Sequence, residues 1–349
     1  MNTNHLADFA DPQTGRVNPP RLMLQPDERP AMQLEMIDAA TVRTRLPMKD
    51  CIEAMVTAMK AVTNGTVAAP QRIIMPLIDG SGYFAVMPGS SSLPLVYGAK
   101  IVSLHPSNPA AGRPAVQGFV VLFDHATGTP VALVDGAEIT AVRTGAASGL
   151  ATRLLARPDA RSLGLLGYGV QASAHLEAIC AVRPIVEVRV WGRSADKARA
   201  FAAQHAATTS ARIVAVATAE EPAKCDVVCV ATGSAEPVIR GEWLRPGSHV
   251  NLVGAHSPKT READTALIQR SRVYVDSEAS AFSEAGDILI PLAEGAIDRA
   301  HVVGEIGALL LGRILGRTSA AETTVYKSLG LVAQDIVAAH AVYERGRAG

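Results

Sequence analysis

No apolar run in this chain approaches the ~20 residues that a membrane span needs, so no membrane-spanning helix is expected. The first residues hold no basic region followed by an apolar stretch, which is the pattern of a secretory signal. Charge of neither sign prevails. The 33 Lys and Arg balance 33 Asp and Glu, and a formal net charge of zero points neither to nucleic acid nor to an anionic membrane. Cysteine is scarce: Cys51, Cys180, Cys225 and Cys229 are the four, and none forms a C-x-x-C pair. Cys225 and Cys229 bracket a stretch that reads as a buried strand. Such usage suits reduced thiols acting as small apolar side chains in a cytoplasmic protein. The histidines lack clustered carboxylates and metal-ligand spacing, so no metal is expected. There is no internal repeat and no low-complexity tract.

What the chain does have is ordinary globular composition, 48% hydrophobic and 19% charged over 349 residues. That length suggests about two domains, each able to bury a core. The most informative stretch is Ser162 to Ala172. Leu163 to Leu166 reads as a short buried strand, and Gly167-Tyr168-Gly169-Val170-Gln171-Ala172 follows at once. A helical stretch, Ala174 to Val182, comes next, and a second strand lies at Val186 to Trp191. Strand, glycine turn and helix in this order make a dinucleotide-binding unit. Gly167 would allow the tight turn, Gly169 the close approach of a pyrophosphate, and Ala172 close helix–strand packing. The helix N-terminus adds free N–H groups and partial positive charge. A glycine-rich turn in some other doubly wound domain is the alternative.

Residues 1–30, rich in Pro, Asn and Asp, read as an extended arm, either disordered or laid on a partner subunit. Met32 to Ala39 reads as a strand and turn. Met48 to Lys60 has helical spacing, with Ile52, Met55, Val56 and Met59 on one face. Arg72 to Leu77 and Gly82 to Met87 read as a hairpin. Further strands are expected at Tyr97 to Leu104, Gln117 to Asp124 and Val131 to Asp135. Ile139 to Ala156 reads as a tightly packed helix. From Ser162 onward strand and helix alternate, with strands at Leu163–Leu166, Glu187–Trp191, Arg212–Val216, Asp226–Ala231, His249–Val253 and Arg272–Val275. That alternation predicts a parallel sheet with crossover helices. Ala308 to Leu315 and Val325 to Arg345 both read as helical. The fold class is therefore α/β: a Rossmann-type doubly wound parallel sheet domain plus a strand-rich α+β domain.

At the tip of the second strand, sites for NAD place an acid about 20 residues after the glycine turn. Here the tip reads Val190-Trp191-Gly192-Arg193-Ser194, with no carboxylate. Arg193 and Ser194 suit a 2′-phosphate instead, which favours NADP(H) while leaving NAD(H) possible. Arg193 as a plain solvated loop residue is the other reading.

Several further motifs occur in order along the chain: Pro70-Gln71-Arg72, Met87-Pro88, Gly98-Ala99-Lys100, Asn108, Asp124 with Gly128-Thr129-Pro130, and Thr140-Ala141-Val142-Arg143-Thr144-Gly145-Ala146. Gly167-Tyr168-Gly169-Val170-Gln171, Thr232, Lys327-Ser328-Leu329-Gly330 and Asp335 complete the set. With these residues the chain resembles the ornithine cyclodeaminase and mu-crystallin family, from about residue 36 onward. The resemblance implies a two-domain homodimer. Residues 31–142 and 317–349 would form the substrate-binding and dimerisation domain, and residues 143–316 the dinucleotide-binding domain. It implies a small imino or amino acid substrate in the cleft, against the nicotinamide. Arg72, Lys100 and Arg143 match the positions that hold the substrate carboxylate, and Arg143 can also face the cofactor phosphates. Read without the resemblance, each is an ordinary surface or ion-paired residue. Gly167, Gly169, Val170 and Gln171 match the pyrophosphate turn. Thr232, Val250 and Val253 match strand ends beside the nicotinamide. Ser328 and Leu329 match residues reaching into the cleft from the other domain.

The departures concern two acids that ornithine cyclodeaminases carry. The stretch before the Met-Pro pair, Gly82-Tyr83-Phe84-Ala85-Val86, has none. The loop Val253-Gly254-Ala255-His256-Ser257-Pro258 has His256 where a catalytic Asp is expected. A diamine would lose two partners there, whereas a cyclic imine with one carboxylate would lose little. His256, with Lys100, is therefore the expected catalytic residue, able to handle a proton near neutrality. A loop histidine bonded to backbone is the bland alternative. The resulting expectation is an NADPH-dependent reductase of a cyclic imino acid. A cyclodeaminase, a non-catalytic NADPH and small-acid binder, and an open-chain imine reductase stay open beside it.

Overall fold

The structure, a computed structural model, describes residues 33–347. The arm expected over residues 1–30 lies outside them. Among the described residues the strands form two sheets.

The first sheet is built from β1 (Glu35–Ile37), β2 (Val67–Ala68), β3 (Ile73–Pro76), β4 (Tyr83–Ser92), β5 (Leu95–Leu104), β6 (Val116–Phe123) and β7 (Pro130–Asp135). Its order is β1-β7-β6-β5-β4-β2, with β3 also on β4. Only β1 pairs in parallel, with β7; the other pairings are antiparallel. One face carries the helices α1 (Ala39–Arg45) and α3 (Gly136–Leu155), and α2 (Met48–Thr63) packs on α3. On the face away from the buried Lys100, Val120 and Val134, Ile73, Val86, Ile101 and Phe119 stand opposite one another in register, and Ile73, Ile101 and Phe119 are exposed. An antiparallel sheet with a solvated face normally turns polar residues outward, so this apolar row is unusual.

The second sheet contains β8 (Ser162–Leu166), β9 (Glu187–Trp191), β10 (Arg212–Ala215), β11 (Val227–Val230), β12 (His249–Leu252), β13 (Ser271–Val275), β14 (Val302–Glu305) and β15 (Thr323–Lys327). Its order is β10-β9-β8-β11-β12-β15-β13-β14, all parallel. Between and after these strands run α4 (Val170–Val182), α5 (Ala195–His205), α6 (Glu220–Ala223), α7 (Thr265–Gln269), α8 (Glu278–Glu284), α9 (Gly286–Ala293), α10 (Ile306–Leu310) and α11 (Val332–Arg347).

The two sheets share α3. Asp135 caps its start, accepting the Glu138 N–H at 2.7 Å. Small residues let it sit close to α4: a Cβ on Gly145 would lie 2.7 Å from the Ala174 carbonyl. At its far end Arg183 donates to the carbonyls of Thr152, Arg153 and Ala156 at 2.8–3.0 Å, satisfying acceptors that a helix end leaves open. The α2 face expected from spacing is buried, with Ile52, Met55 and Met59 packed in the first core beside α3 and α11. Val56 lies at its edge, partly buried.

Two expectations are corrected. The single helix read over Val325 to Arg345 is a strand, a turn and a helix. Thr323-Thr324-Val325-Tyr326-Lys327 is buried at every position and inserts between β12 and β13. β-Branched residues buried on both sides favour a strand there, and Gly330 at φ +79° breaks the chain before α11. The partition at residue 317 therefore falls ahead of a strand of the dinucleotide-type sheet. Met32 to Ala39 also yields more than a strand and turn, because Asp38 caps α1 through the Thr41 N–H at 2.8 Å.

Candidate active site

The strand order reverses between β8 and β11, the place where open parallel sheets bind ligands. Gly167 follows β8 with φ +116°, and a Cβ there would lie 2.4 Å from the Ala231 carbonyl. Only glycine fits that turn. Gly169 precedes α4 with no side-chain cap, and a Cβ on it would meet nothing within 4 Å. Val170 is 66% exposed at the helix start, and Ala172 is buried. An uncapped helix start facing open space fits a pyrophosphate, since about half a positive charge resides there. Gln171 donates weakly to the Thr140 carbonyl at 3.4 Å, and its Oε1 is buried without a partner. At the tip of β9, the Tyr168 ring lies over Gly192, where a Cβ would be 2.2 Å from it. Arg193 is exposed beside it. Ser194 is already employed: its Oγ accepts the Lys197 N–H at 3.3 Å as the cap of α5.

The three expected cations converge around the Leu329-Gly330 turn. Arg72 donates from Nη2 to the Gly330 carbonyl at 2.9 Å, and that nitrogen lies 3.0 Å from Glu284. Lys100 and Arg143 are only 4% and 5% exposed. Both pair with the fully buried Asp335, Lys100 Nζ at 2.8 Å and Arg143 Nε at 2.9 Å. Arg143 Nη1 also donates to Gln334 at 2.7 Å. Burial opposes the Asp335 charge, but Arg143 and Lys100 outweigh it and hold the carboxyl below its ordinary value. Burial pushes Lys100 down to about 8 despite Asp335, with Arg143 adding to the fall. Asp276, fully buried, accepts the N–H groups of Leu329 and Gly330 at 2.8 and 2.7 Å and so fixes that turn.

A cavity of about 430 Å³ opens at this point, its walls including Arg72, Met87, Ser280, Glu284 and Gly330. Lys100 and Arg143 stand directly behind them. Met87 is opposite Lys100 in the β4–β5 register, and Gly330 packs on the Arg143 guanidinium. Of the three cations, Arg72 lines the cavity, and Asp335 balances the other two.

The remaining expected residues separate into groups. Ser328 and Leu329 are beside the cavity, but they belong to the turn after β15 and reach it from the eight-stranded sheet. That corrects their expected origin in the other domain. Thr232 and Val253 sit at the ends of β11 and β12, where the Thr232 N–H and hydroxyl both donate to Glu262 at 2.7 Å. Val250 is corrected: it is fully buried in the core with Val228, Leu252 and Val325, two residues short of the strand end. His256 is exposed, donates from Nδ1 to the Gly254 carbonyl at 3.0 Å, and does not line the cavity. Sequence reasoning missed Glu284, Gln334, Asp276 and the functional weight of Asp335. A buried acid in α11 next to two cations across the fold has no local sequence signal.

The fold and the site define a Rossmann-type α/β protein with a substrate-sized cavity at the strand ends. The chain belongs to the ornithine cyclodeaminase/mu-crystallin family, whose model matches residues 32–349. It is 34% identical over 299 residues to the ketimine reductase mu-crystallin of Mus musculus, covering 85% of this chain and 91% of that one. It is 33% identical over 312 residues to the Delta(1)-pyrroline-2-carboxylate reductase of Bacillus cereus, covering 89% and 96%. Among solved structures, the Thermococcus litoralis Delta(1)-pyrroline-2-carboxylate reductase in complex with NADH and L-proline is similar with a TM-score of 0.87. That match has 36% identity and covers 90% of this chain and 97% of the other.

Proposed function

We propose that this chain is an NAD(P)H-dependent reductase of a cyclic imino acid, taking pyrroline-2-carboxylate or piperideine-2-carboxylate to proline or pipecolate. The observation that carries it is the cavity wall: Arg72 is at its surface, with Lys100, Asp335 and Arg143 immediately behind. Names of relatives at 33–36% identity support the same reaction.

Arg72 takes the substrate carboxylate in a two-point grip, exchanging its present partner Glu284 for the ligand. Glu284, released on the same wall, is placed to face the protonated imine nitrogen. A cationic C=N carbon is the electrophile, and holding it in near-attack geometry supplies much of the rate. With a dinucleotide's pyrophosphate held at the glycine turn, its reduced nicotinamide would supply the hydride. A hydride delivered there would form the new C–H bond at the imine carbon while the C=N π pair moved to nitrogen, leaving a secondary amine. Lys100, and His256 through its free Nε2, are the candidates for proton supply. Arg193, exposed at the β9 tip with no acid beside it, supports a preference for NADP(H).

The exposed row Ile73, Ile101 and Phe119 supports a homodimer formed through that sheet face, since monomers seldom leave such a patch bare. The thiols support a cytoplasmic setting: all four cysteines are free, and burial pushes Cys51 and Cys229 to about 12. Among the described residues no helix is long and apolar enough to cross a membrane.

Oxidation of NADPH and NADH with a panel of cyclic imino acids, and of keto acids with amines, tests the proposal. Turnover should be highest with a five- or six-membered ring. Absence of turnover with every member, despite dinucleotide binding, would leave a binding role instead. Glu284 favours one second reading, because an acid on the cavity wall can also hold a substrate amine. Ammonia release from ornithine separates that cyclodeaminase reading from reduction.

A further inference from the structure

Beneath the strand ends lies a charged cluster that the cavity does not use. Lys327, Asp287 and Glu262 are fully buried. Lys327 ends β15, and its Nζ lies 2.9 Å from Asp287 Oδ2 and donates to the Ala255 carbonyl at 2.5 Å. Asp287, in the first turn of α9, accepts the N–H groups of Glu262 and Ala263 at 2.8 and 3.0 Å. Glu262 then gathers two strand ends. One oxygen accepts the Thr232 N–H and hydroxyl, both at 2.7 Å; the other accepts the Gly254 and Ala255 N–H groups at 2.5 and 3.2 Å. The packing leaves no slack. A Cβ on Gly254 would lie 2.0 Å from the Thr232 carbonyl and 2.5 Å from Glu262.

Burying three ionisable groups is expensive, several kcal/mol per ion, and apolar side chains would pack this space at less cost. What the cluster provides is direction. Every partner of the Glu262 carboxylate is a donor on Thr232, Gly254 or Ala255. These residues lie just beyond β11 and β12, next to the switch point, and His256 follows directly. The Thr232 hydroxyl donates its hydrogen to Glu262, so ordering of this segment comes from below.

We infer that Glu262, held by Lys327 and Asp287, is a positioning residue that sets the β11 and β12 ends against the nicotinamide side of the site. It touches neither cofactor nor substrate. The substrate grip of Arg72, Lys100 and Arg143 depends on other segments and is independent of it. The inference rests on the imine-reductase proposal for its turnover assay alone.

The test is Glu262→Gln, which keeps size but turns an amide donor toward N–H donors. Misplacing a reacting group by about 1 Å costs up to about a hundredfold, so kcat should fall about 10- to 100-fold. The KM for the imino acid should change less than about threefold, because a kcat loss without a KM change marks lost transition-state geometry. NADH and NADPH titrated by fluorescence, with no substrate present, should bind at least about threefold more weakly. A folded variant with wild-type kcat and dinucleotide affinity overturns the inference. So does an imino acid KM that rises as far as kcat falls, since that marks general loosening. Should Glu262→Gln fail to fold, Thr232→Val removes only one donor to Glu262, and wild-type kcat and affinity in it overturn the inference equally. If the wild type reduces no cyclic imino acid, the functional proposal fails, while the dinucleotide titration still decides the role of Glu262.

Discussion

Lys100 Nζ lies 2.8 Å from Asp335 Oδ2, and both side chains are buried. Asp335 also holds Arg143, so one carboxylate sets the charge behind the cavity wall. Removing that carboxylate leaves two buried cations facing each other. Asp335→Asn should therefore destabilise the fold by about 3–5 kcal/mol, the usual cost of breaking a buried pair from one side. Urea unfolding of the two proteins measures this. A difference within about 0.5 kcal/mol, the range of an ordinary surface substitution, would show that the pair contributes nothing.

The same lysine gives the site a pH dependence. Burial lowers Lys100 from 10.5 to about 8, so its ammonium is present below that pH and is lost as pH rises through it. Loss of a positive charge behind Met87 should weaken the grip on a carboxylate. Pyrrole-2-carboxylate, a planar ring acid without a basic nitrogen, isolates this effect from titration of the substrate. Its inhibition constant should be flat below pH 7 and rise above about 8. A flat profile up to pH 9.5 would remove Lys100 from the carboxylate grip.

Gly330 packs the turn against the Arg143 guanidinium. It has φ +79°, and a Cβ on it would lie 2.6 Å from Arg143 Nη1. Gly330→Ala adds strain of about 1–2 kcal/mol for the left-handed backbone and also displaces the guanidinium. Gly65 provides the control, with φ +69° and nothing within 4 Å of a Cβ. Both alanine variants should melt earlier, but only Gly330→Ala should raise the KM for the imino acid. Equal KM values would mean that Arg143 tolerates the shift.

Local chemistry decided what could be foreseen. The glycine turn was legible because Gly167, Gly169 and Ala172 answer to backbone needs that recur wherever a strand feeds a helix over a phosphate. The alternation of short apolar runs with helical spacing likewise announced the parallel sheet. Tertiary effects were not legible. Val325 to Lys327 fit a helical pattern as an extension of α11, and only insertion between β12 and β13 makes them a strand. Lys100, Arg143 and Asp335 lie 43 or more residues apart in sequence, so nothing local tells a ligand-facing cation from a paired one. Glu284 was missed because α8 brings it to the cavity from the other sheet.

Arg193 stands exposed at the β9 tip with no carboxylate beside it. Arg193→Ala should raise the KM for NADPH about tenfold or more and leave that for NADH nearly unchanged, because charge-assisted bonds to an anion contribute about 1.5–3 kcal/mol. Equal effects on both dinucleotides, or a wild-type preference for NADH, would place the arginine in solvent without a role.

His256 separates reduction from cyclodeamination. A cyclodeaminase needs a base that takes and returns protons while an amine is oxidised and expelled. A reductase needs only a protonated imine and an exit for the product. The loop puts a histidine at that position, its Nδ1–H committed to the Gly254 carbonyl and its Nε2 unbonded among the described residues. The wild type should therefore reduce a cyclic imino acid and release little ammonia from ornithine or lysine in the presence of NAD. His256→Ala should lower imine reduction by about 10²–10⁴, the usual contribution of a general acid, and its effect should shrink at low pH, where solvent keeps the imine protonated. Wild-type turnover in that variant would leave Lys100 as the proton source. Robust ammonia release by the unmodified protein would overturn the reductase proposal itself, and would move Glu284 from holding an iminium to holding an amine.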